Sequence, residues 1–471
     1  MTGALLCAVD RGIASARAGI IDAAGALLGR DAHPIALHHP SGTMAEHRSD
    51  DIWAAVCAAV TGAMAAAGAA AGDVAAIGFG ATCSLVARGA DGGPVSLALD
   101  GAPGWDTLAW RHHRAGEEAA EAAIPSPEMQ PPKLMWLKHR LPDRWAEAAR
   151  ICDLADFLTW RATGATARSA CTLTSKWGWN ADGAPPEALL ATFGLTGMPP
   201  RAAPVGSAVG RLTPAAAADL GLAGGCAVAA GMIDAYAGAL GVPGGLDDDR
   251  LAEAAALIAG ALSCVMTLRA APTPPPGLWG PYADVVLPGL WAAEGGQSAA
   301  GGLLDHIVRV HGAGLAVSAD THGAIAARVA ALRAQQGDAF AADLHVPPDF
   351  HGNQSPFGDP RARGDHGAGY GRLVRRAVRA VAARRHRAGA GAAADPRSYG
   401  GARHGRLGAA PGWRPCPQPA AEPALRRRHR PAGGGGGGEH RRDAAGRRDL
   451  RRKRGGGMDR CAPPPTSWRP R

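Results

Sequence analysis

The sequence contains 9 cysteines but no Cys-x-x-Cys pair, so it indicates neither a zinc motif nor a set of paired disulfides. An odd number of cysteines is typical of a protein that folds in a reducing compartment. The first eight residues carry no basic side chain, and their apolar run ends at Asp10, too early for a secretory signal peptide. We therefore expect a cytoplasmic protein.

Aromatic residues are scarce, at 5% of the chain, whereas hydrophobic residues reach 46%, so Ala, Val and Leu must form most of the core. The uncharged stretch 54–72 is mostly Ala and Gly and follows Ser49-Asp50-Asp51. A serine cap with acids in the first turn favours a soluble helix over a membrane span. A chain of 471 residues is long enough for two to four domains.

The net charge of +9 hides two parts of opposite sign. Residues 365–471 contain 25 Arg and 1 Lys against 7 acids, whereas residues 1–364 carry a net charge of −10. The last part has no Ile or Phe and only 4 Leu and 3 Val. Such a composition cannot bury enough apolar surface to offset its ordering entropy, so we expect this tail to be disordered.

Two origins of the tail remain open. It is either an Arg/Gly-rich arm that binds nucleic acid through phosphates, or the product of a reading frame that slips near Gly364. Arg, Gly, Ala and Pro dominate the tail, and these are the residues whose codons can be built from G and C alone. The excess of Arg over Lys favours the shifted frame, because selection for positive charge would admit both.

In the body, apolar runs separated by Gly and Asp predict three consecutive strands at 5–9, 16–21 and 26–28. A helix at 50–71 and a strand at 74–79 follow. Further predicted elements are two helices within 133–163, a strand at 226–230 followed by a Gly/Ala-rich helix, and a hairpin of strands 257–259 and 263–268.

Asp10-Arg11-Gly12 places a carboxylate at the end of a predicted strand, directly before a glycine turn. A carboxylate in this position can hold Mg²⁺ or its water, while N–H groups of the turn face phosphate oxygens. The pattern also occurs in ordinary turns, and Gly260-Ala261-Leu262-Ser263 is a second turn of this kind. Asp234, between a glycine and an apolar helix, is either a helix cap or a general base toward a hydroxyl.

Seven segments, taken in order, resemble one family. They are DRGIASARAG (10–19), EHRSDDIW (46–53), KLMWLK (133–138), DLADFLTWRATG (153–164), GMIDAYAG (231–238), EGGQSAAG (294–301) and DFHGNQSPFGDPRARG (349–364). The chain is similar over residues 4–364 to the FGGY-type carbohydrate kinases, most of all to their ribulokinase-like branch. The resemblance implies an α/β protein with the actin-like, ribonuclease-H-like fold, a sugar cleft between two domains, and Mg-ATP as phosphoryl donor.

The same resemblance divides the chain and assigns its site. It implies a sugar-binding domain at 1–265 and a partial nucleotide domain at 266–364, followed by the tail at 365–471. Asp234 matches the catalytic base. The residues that match sugar-binding positions are Thr82, Cys83, Lys176, Asp234 and Glu294. The residues that match the two phosphate turns are Asp10, Gly12, Ser15 and Arg17 in the first, and Gly260 and Ser263 in the second, with Asp10 also on the magnesium ion.

Simpler interpretations of two of these residues remain open: Lys176 is also compatible with a solvated surface lysine, and Glu294 with a turn acid beside Gly295-Gly296. Four positions depart from the family pattern. Ile13 and Ala261 stand where relatives usually have Thr, and Gly80 and His112 where they usually have Asp. After Gly364 the tail replaces the adenine pocket of the family, so we expect this chain to lose ATP binding and turnover while sugar binding partly survives.

The expected function is therefore ATP-dependent phosphorylation of D-ribulose or a related ketopentose or pentitol. Two alternatives remain: a nucleic-acid-binding protein that uses the basic tail, and a catalytically dead sugar-binding remnant. We expect the protein to bind a small sugar, and we allow for a homodimer. We expect it to bind neither a specific nucleic acid nor a membrane.

Overall fold

A computed structural model of the chain describes residues 4–362 with short gaps. The gaps are 41–43, 123, 125, 184–185, 196–197, 261–262, 274–276, 298, 313, 338–339, 341–348, 351, 356 and 360–361. Our expectations for the tail at 365–471, and for Ala261 in the second phosphate turn, lie outside the described residues.

The described part of the chain alternates strands and helices, as expected of an α/β protein. The strands are β1 (Leu5–Arg11), β2 (Ser15–Ile21), β3 (Leu27–Pro34), β4 (Glu46–His47), β5 (Val74–Ala81), β6 (Leu85–Arg88), β7 (Thr107–Leu108), β8 (Arg150–Asp153), β9 (Ala208–Arg211), β10 (Ala227–Ala229), β11 (Met232–Ile233), β12 (Ala256–Ala259), β13 (Ser263–Arg269), β14 (Trp279–Ala283) and β15 (Trp291–Gln297). The helices are α1 (Ser49–Ala67), α2 (Gly116–Glu121), α3 (Gln130–Arg140), α4 (Pro142–Glu147), α5 (Leu154–Thr163), α6 (Ala170–Lys176), α7 (Glu187–Phe193), α8 (Pro214–Leu220), α9 (Asp234–Gly241), α10 (Asp248–Glu253), α11 (Gly301–His311) and α12 (Ala319–Gln336), with 3₁₀ turns at Ala71–Asp73 and His113–Ala115.

The largest sheet has the strand order β3-β2-β1-β5-β10-β9, with β11 paired to β5. The predicted meander is confirmed, because β1, β2 and β3 pair antiparallel in sequence. β5 then pairs parallel with β1, and the strand predicted at 74–79 is confirmed as β5. Apolar side chains on one face of this sheet pack against α1.

The helix α1 confirms the helix predicted at 50–71 and buries Ile52, Val56 and Val60 against the sheet. It ends at Gly68, whose left-handed φ of 63° a side chain would strain. The serine cap is wrong, because Arg48 occupies the cap position and the Ser49 hydroxyl donates to Asp106 Oδ2 at 2.5 Å. Among the described residues, α1 is the one helix that is long and apolar enough to cross a membrane. Its buried side chains, however, pack in the hydrophobic core.

A second sheet, of order β4-β7-β6-β8, lies beside α3, α4 and α6 around a separate apolar cluster. The two helices predicted within 133–163 are wrong in number, since this region contains α3, α4, β8 and α5. The error came from Ile151, whose spacing to Leu154 and Leu158 fits a helix. In the structure Ile151 lies in β8 and pairs with Ala87 of β6.

The third sheet has the order β12-β13-β15-β14 and contains the predicted hairpin, with Ala259 paired to Ser263. The domain boundary predicted between residues 265 and 266 falls inside β13. The strands of the third sheet begin at Ala256. A boundary placed between the first and third sheets therefore lies about one strand before the predicted one. The division of the chain into domains stays a prediction.

Parallel strands bring the site together. Arg11 of β1 and Ile233 of β11 both pair with Ala81 of β5, on its two sides. Because the carboxyl ends of parallel strands meet at one edge of the sheet, the residues that follow each strand lie close together there. This edge carries Asp10, Thr82 and Asp234.

Candidate active site

The first phosphate turn, between β1 and β2, is held by an ion pair. Arg17 Nη2 lies 3.1 Å from Asp10 Oδ2, and the two residues are paired across the strands. The guanidinium also covers Gly12, where an added Cβ would lie 2.4 Å from Arg17 Nη2. A side chain at position 12 would therefore displace the Arg17 guanidinium from its present position.

The N–H of Gly12 donates to the carbonyl of Ser15 at 3.1 Å, so this hydrogen bond closes the turn. The structure thus brings Asp10, Gly12, Ser15 and Arg17 together in one turn, as the motif indicated. Because the Gly12 N–H already donates within the protein, it is not available to an anionic ligand. The Arg17 guanidinium is then the strongest donor that the turn offers to such a ligand.

Thr82 and Cys83 follow β5 and are both buried. The Thr82 hydroxyl accepts a hydrogen bond from Arg11 Nη1 at 2.7 Å and lies 3.0 Å from Ser84 Oγ. The Cys83 carbonyl accepts from Gln130 Nε2 at 3.3 Å. Burial raises the pKa of the Cys83 thiol to about 12, so this side chain is a neutral group at physiological pH.

Lys176 and Glu294 form a buried ion pair at the end of α6 and the middle of β15. Lys176 Nζ lies 3.4 Å from Glu294 Oε2, and both side chains are at most 5% exposed. The Tyr236 hydroxyl of α9 donates to the same carboxylate oxygen at 2.8 Å. The simpler interpretations are therefore wrong: Lys176 is not a solvated surface lysine, and Glu294 is a strand residue rather than a turn acid.

Electrostatics fixes the charge of this pair. Burial alone would lower the pKa of Lys176, but the attraction of Glu294, together with that of Cys83, Tyr282 and Glu128, outweighs it and holds the pKa well above its ordinary value. Burial and the neighbouring Glu294 raise the pKa of Tyr236, so its phenol stays protonated and donates. The cluster offers a polyol a cation, a hydroxyl and a carboxylate fixed within hydrogen-bond reach of one another.

Asp234 is the first residue of α9, and Ile233 occupies the cap position. Its carboxylate accepts from the N–H of Ala235 at 2.8 Å, and no side-chain bond caps the helix. Burial and the charge of Asp10 raise the pKa of Asp234 to about 6, while the Ala235 N–H, Arg11 and Arg17 oppose the rise. A carboxylate with a pKa near 6 is ionised at neutral pH and is more basic than a solvated one, as a general base requires.

The second turn is described only at its ends. Gly260 accepts from the N–H of Gly301 at 3.0 Å, and Ser263 pairs with both Ala259 and Gln297. The roles assigned to Gly260 and Ser263 stay predictions, because residues 261–262 lie outside the described part.

Three of the positions that depart from the family pattern are described. Ile13 packs against the apolar cluster that includes Tyr236 and Val286. At Gly80 an added Cβ would lie 3.4 Å from the Val9 carbonyl, which is close to an ordinary contact, so the position has room for a Cβ.

His112 is buried and accepts from Arg114 Nε at 2.6 Å. Burial and the charge of Arg114 hold the pKa of His112 well below its ordinary value, which keeps the ring neutral. His112 therefore contributes an acceptor at this position without a negative charge.

Two residues of this region were not identified from the sequence. Tyr236 lies in the quoted segment GMIDAYAG, and an aromatic residue on an apolar helix gave no reason to expect a polar contact. Arg11 was quoted in the first turn without a role, although a charged residue at the end of an apolar strand was a detectable signal.

The residues fit magnesium bound together with a nucleotide rather than a resident metal. Among the described residues, no group of three or more His, Cys, Asp or Glu side chains is arranged to hold an ion. Mg²⁺ is typically bound by one or two carboxylates together with substrate phosphates. Asp10, with its side chain 55% exposed beside the phosphate turn, provides one such carboxylate.

Comparison with known proteins identifies the class. The family described as "FGGY family of carbohydrate kinases, C-terminal domain" matches residues 255–390, a range that begins next to β12 and runs past Gly364. The chain is 40% identical over 395 residues to the FGGY carbohydrate kinase domain-containing protein of Danio rerio, covering 76% of this chain and 72% of the relative. The human protein of the same name is 36% identical, with coverage of 76% and 71%.

The D-ribulokinase of Saccharomyces cerevisiae is 31% identical over 420 residues, covering 75% of this chain and 58% of the yeast protein. Among solved structures, the xylulose kinase of Rhodospirillum rubrum superposes with a TM-score of 0.63 at 22% identity, covering 82% of this chain and 78% of that one. The fold is thus that of the sugar kinases, the actin-like, ribonuclease-H-like fold predicted from the motifs. The chain belongs to the FGGY family of carbohydrate kinases, which are phosphotransferases that act on sugars.

Proposed function

We propose that this site binds D-ribulose or a related ketopentose or pentitol and transfers a phosphoryl group from Mg-ATP to one of its hydroxyls. The observation that carries the proposal is the buried cluster of Lys176, Glu294 and Tyr236, in which Tyr236 follows Asp234 by two residues on α9. The similarity to a yeast protein named D-ribulokinase supports a ketopentose among the sugars.

The cluster suits a polyol because it combines donors and an acceptor whose positions are already fixed. Lys176 donates to oxygens of the sugar, and Glu294 accepts from its hydroxyls. The Tyr236 hydroxyl, whose one proton goes to Glu294, accepts from a sugar hydroxyl. A buried carboxylate that lacks a hydrogen-bonding ligand keeps unused acceptor capacity, so a sugar without the matching hydroxyl binds less well.

Asp234 acts as the general base. Its carboxylate is ionised at neutral pH, since its pKa lies at about 6, and it accepts the proton of the hydroxyl that attacks. Phosphoryl transfer needs little covalent help from the protein, so holding the hydroxyl against Asp234 supplies most of its contribution.

Mg-ATP supplies the phosphoryl group, and the ion neutralises charge on the phosphates. Asp10 would hold the ion, and Arg17 would pair with a phosphate oxygen. The existing contact between Asp10 and Arg17 keeps both side chains in the turn in the absence of ligand.

A second candidate is favoured by the Arg-rich composition of residues 365–471, of which 391–471 lie beyond the range that the family matches. Under this second proposal, the protein with the present tail binds the sugar but not the nucleotide. It is then a catalytically dead, sugar-binding remnant of a kinase. The relatives described above are carbohydrate kinases by name, so only the basic tail supports the nucleic-acid alternative. Cytoplasmic location and a homodimer stay proposals.

The test is ADP release with a panel of ketopentoses and pentitols, run on this chain and on a version whose coding frame is shifted back near codon 364. We expect the frame-restored protein to prefer D-ribulose or a close relative, and the chain as written to show no turnover. A frame-restored protein that phosphorylates none of the panel would refute the proposed substrate class. Immediate stop codons in both alternative frames would refute the frame shift.

A further inference from the structure

The loop after β5 makes a tight turn at Cys83. The Ser84 N–H donates to the Thr82 carbonyl at 2.7 Å, a bond that spans three residues and places Cys83 at the apex. The Ser84 carbonyl accepts from the Leu154 N–H at 2.9 Å, at the start of α5. We call residues 82–84 the Cys83 turn. It carries Thr82 and Cys83, which match sugar-binding positions, so a group that fixes this turn also shapes the sugar site.

Gln130, the first residue of α3, reaches the Cys83 turn with its side chain. Gln130 Nε2 donates to the Cys83 carbonyl at 3.3 Å and to Asp153 Oδ2 at 2.9 Å. A carbonyl oxygen can only accept, so the nitrogen of the amide, and not its oxygen, must face Cys83. One side-chain amide therefore joins the apex of the turn to the last residue of β8.

These contacts lie inside the protein. Gln130 and Asp153 are both 0% exposed, and Cys83 is 9% exposed. Burial and the neighbouring Asp156 raise the pKa of Asp153 to about 8, so its carboxyl group is mostly neutral at pH 7. The bonds of Gln130 thus join neutral groups in a region of low dielectric, where water does not compete with them.

The sequence places Gln130 on a rigid support. Pro131 and Pro132 follow it in the first turn of α3, where a missing N–H is tolerated and the fixed φ of proline suits the helix. Leu134 and Leu137, about one and two turns further on, pack in the apolar cluster of the second sheet. Gln130 Oε1 has no hydrogen-bond partner among the described residues, so the amide makes its contacts through Nε2.

We infer that Gln130 is a positioning residue of the sugar site: its amide ties the Cys83 carbonyl to Asp153 and so holds the Cys83 turn in place. The inference rests on the proposed function in taking Thr82 and Cys83 as sugar contacts. The motif pattern assigned no role to Gln130, which lies three residues before the segment KLMWLK. Without this tie the apex of the turn opens more often, and a sugar must order it on binding, which lowers the affinity.

The first measurement is the rate at which iodoacetamide alkylates Cys83 in the full chain without ligand, followed by mass spectrometry of the Cys83 peptide. Gln130→Met keeps the approximate size of the side chain but removes the donor. We expect it to raise the rate about tenfold, because two hydrogen bonds are lost and the turn opens more often. Asp153→Asn keeps a neutral side chain with an acceptor for Gln130, so the rate should stay within about twofold of the parent.

The second measurement is the calorimetric affinity of the full chain for D-ribulose. It should be about fivefold weaker in Gln130→Met and close to that of the parent in Asp153→Asn. The matched control is Leu137→Ala, which loosens the packing of α3 without removing a polar contact of the Cys83 turn. This variant should lower the free energy of unfolding but change neither the alkylation rate nor the sugar affinity.

An alkylation rate that does not change in Gln130→Met, or that rises as far in Leu137→Ala, overturns the inference. D-Ribulose that binds the parent and Gln130→Met equally well overturns it too. A parent chain that binds no sugar refutes the proposed function instead, and the alkylation rate still decides whether Gln130 holds the turn. If Gln130→Met does not fold, Gln130→Asn replaces it in both measurements, because a side chain one methylene shorter cannot span both acceptors.

Discussion

The ammonium of Lys176 lies 3.4 Å from the carboxylate of Glu294, although 118 residues separate them in the chain. The pair joins α6, which packs with the second sheet, to β15 of the third sheet. Tyr236 of α9 donates to the same carboxylate, so three separate elements converge on one buried acid.

This pair predicts a large effect on stability. Lys176→Met leaves Glu294 as an uncompensated buried charge, which should lower the free energy of unfolding by about 3 kcal/mol. Adding Glu294→Gln should recover part of the loss. Urea unfolding measures both. The matched control is Lys138→Met, since Lys138 is an exposed lysine that donates to the Thr192 carbonyl, and we expect a change below about 0.5 kcal/mol there.

Asp234→Asn should reduce turnover of the frame-restored protein by ~10²–10⁴, the usual loss when a general base is removed. Sugar affinity should change much less, because the cluster of Lys176, Glu294 and Tyr236 remains. Single-turnover kinetics with calorimetric sugar binding separates the two effects. Near-normal turnover would mean that Asp234 serves only the start of α9.

The ionisation of Asp234 should also set the pH dependence of turnover in the frame-restored protein. Since the pKa of Asp234 lies at about 6, kcat/KM should fall tenfold per pH unit as the pH drops below 6, because the base becomes protonated. A profile that stays flat between pH 5 and 7 would exclude Asp234 as the titrating base. The limiting slope is measured most cleanly at sugar concentrations far below KM.

The stability contribution of Asp234 has a definite sign. Its pKa is higher in the folded chain than the ordinary value of 3.8, so the folded state binds more protons and stability falls as the pH rises between about 4 and 6. Asp234→Asn removes this dependence and should stabilise the chain at neutral pH by about 1–3 kcal/mol. Urea midpoints at pH 4 and pH 7 for both proteins test it, and a variant less stable than the parent at pH 7 would contradict the sign.

Nucleotide binding should be the function that this chain has lost. The first phosphate turn has Ile13 in place of a hydroxyl residue and the second has Ala261. Each missing hydrogen bond to a charged phosphate weakens binding by roughly 1.5–3 kcal/mol. Calorimetry with Mg-ATP should show no binding to the chain as written, and Ile13→Thr with Ala261→Thr should strengthen binding to the frame-restored protein. Tight binding by the chain as written would place the nucleotide site elsewhere.

Local patterns in the sequence were sufficient for the meander β1–β3, for α1 and for the hairpin β12–β13, because each has a clear period and turn residues at its ends. They failed at β8, because the spacing of Ile151 to Leu154 and Leu158 fits a helix face although Ile151 lies in a strand. Short elements depend on their partners in the fold, and the pairing of Ile151 with Ala87 has no local signal.

Among the site residues too, only those with a local signal could be predicted from the sequence pattern. The roles of Asp10 and Asp234 were suggested by strand ends and a glycine turn, which are local features of the sequence. The contact between Lys176 and Glu294 depends on the packing of α6 against the third sheet, so only family resemblance could suggest it. The contact of Arg11 with the Thr82 hydroxyl was missed because it depends on the pairing of β1 with β5, which has no local signal.

The central claim is that the buried cluster around Glu294 is a sugar site, and calorimetry with D-ribulose on the full chain tests it most directly. The account predicts one binding event, at least about tenfold weaker in Lys176→Met and Glu294→Gln, and unchanged in Lys138→Met. Affinity that is the same in the parent chain, in Lys176→Met and in Glu294→Gln would contradict it, as would no binding of D-ribulose or of any other ketopentose or pentitol.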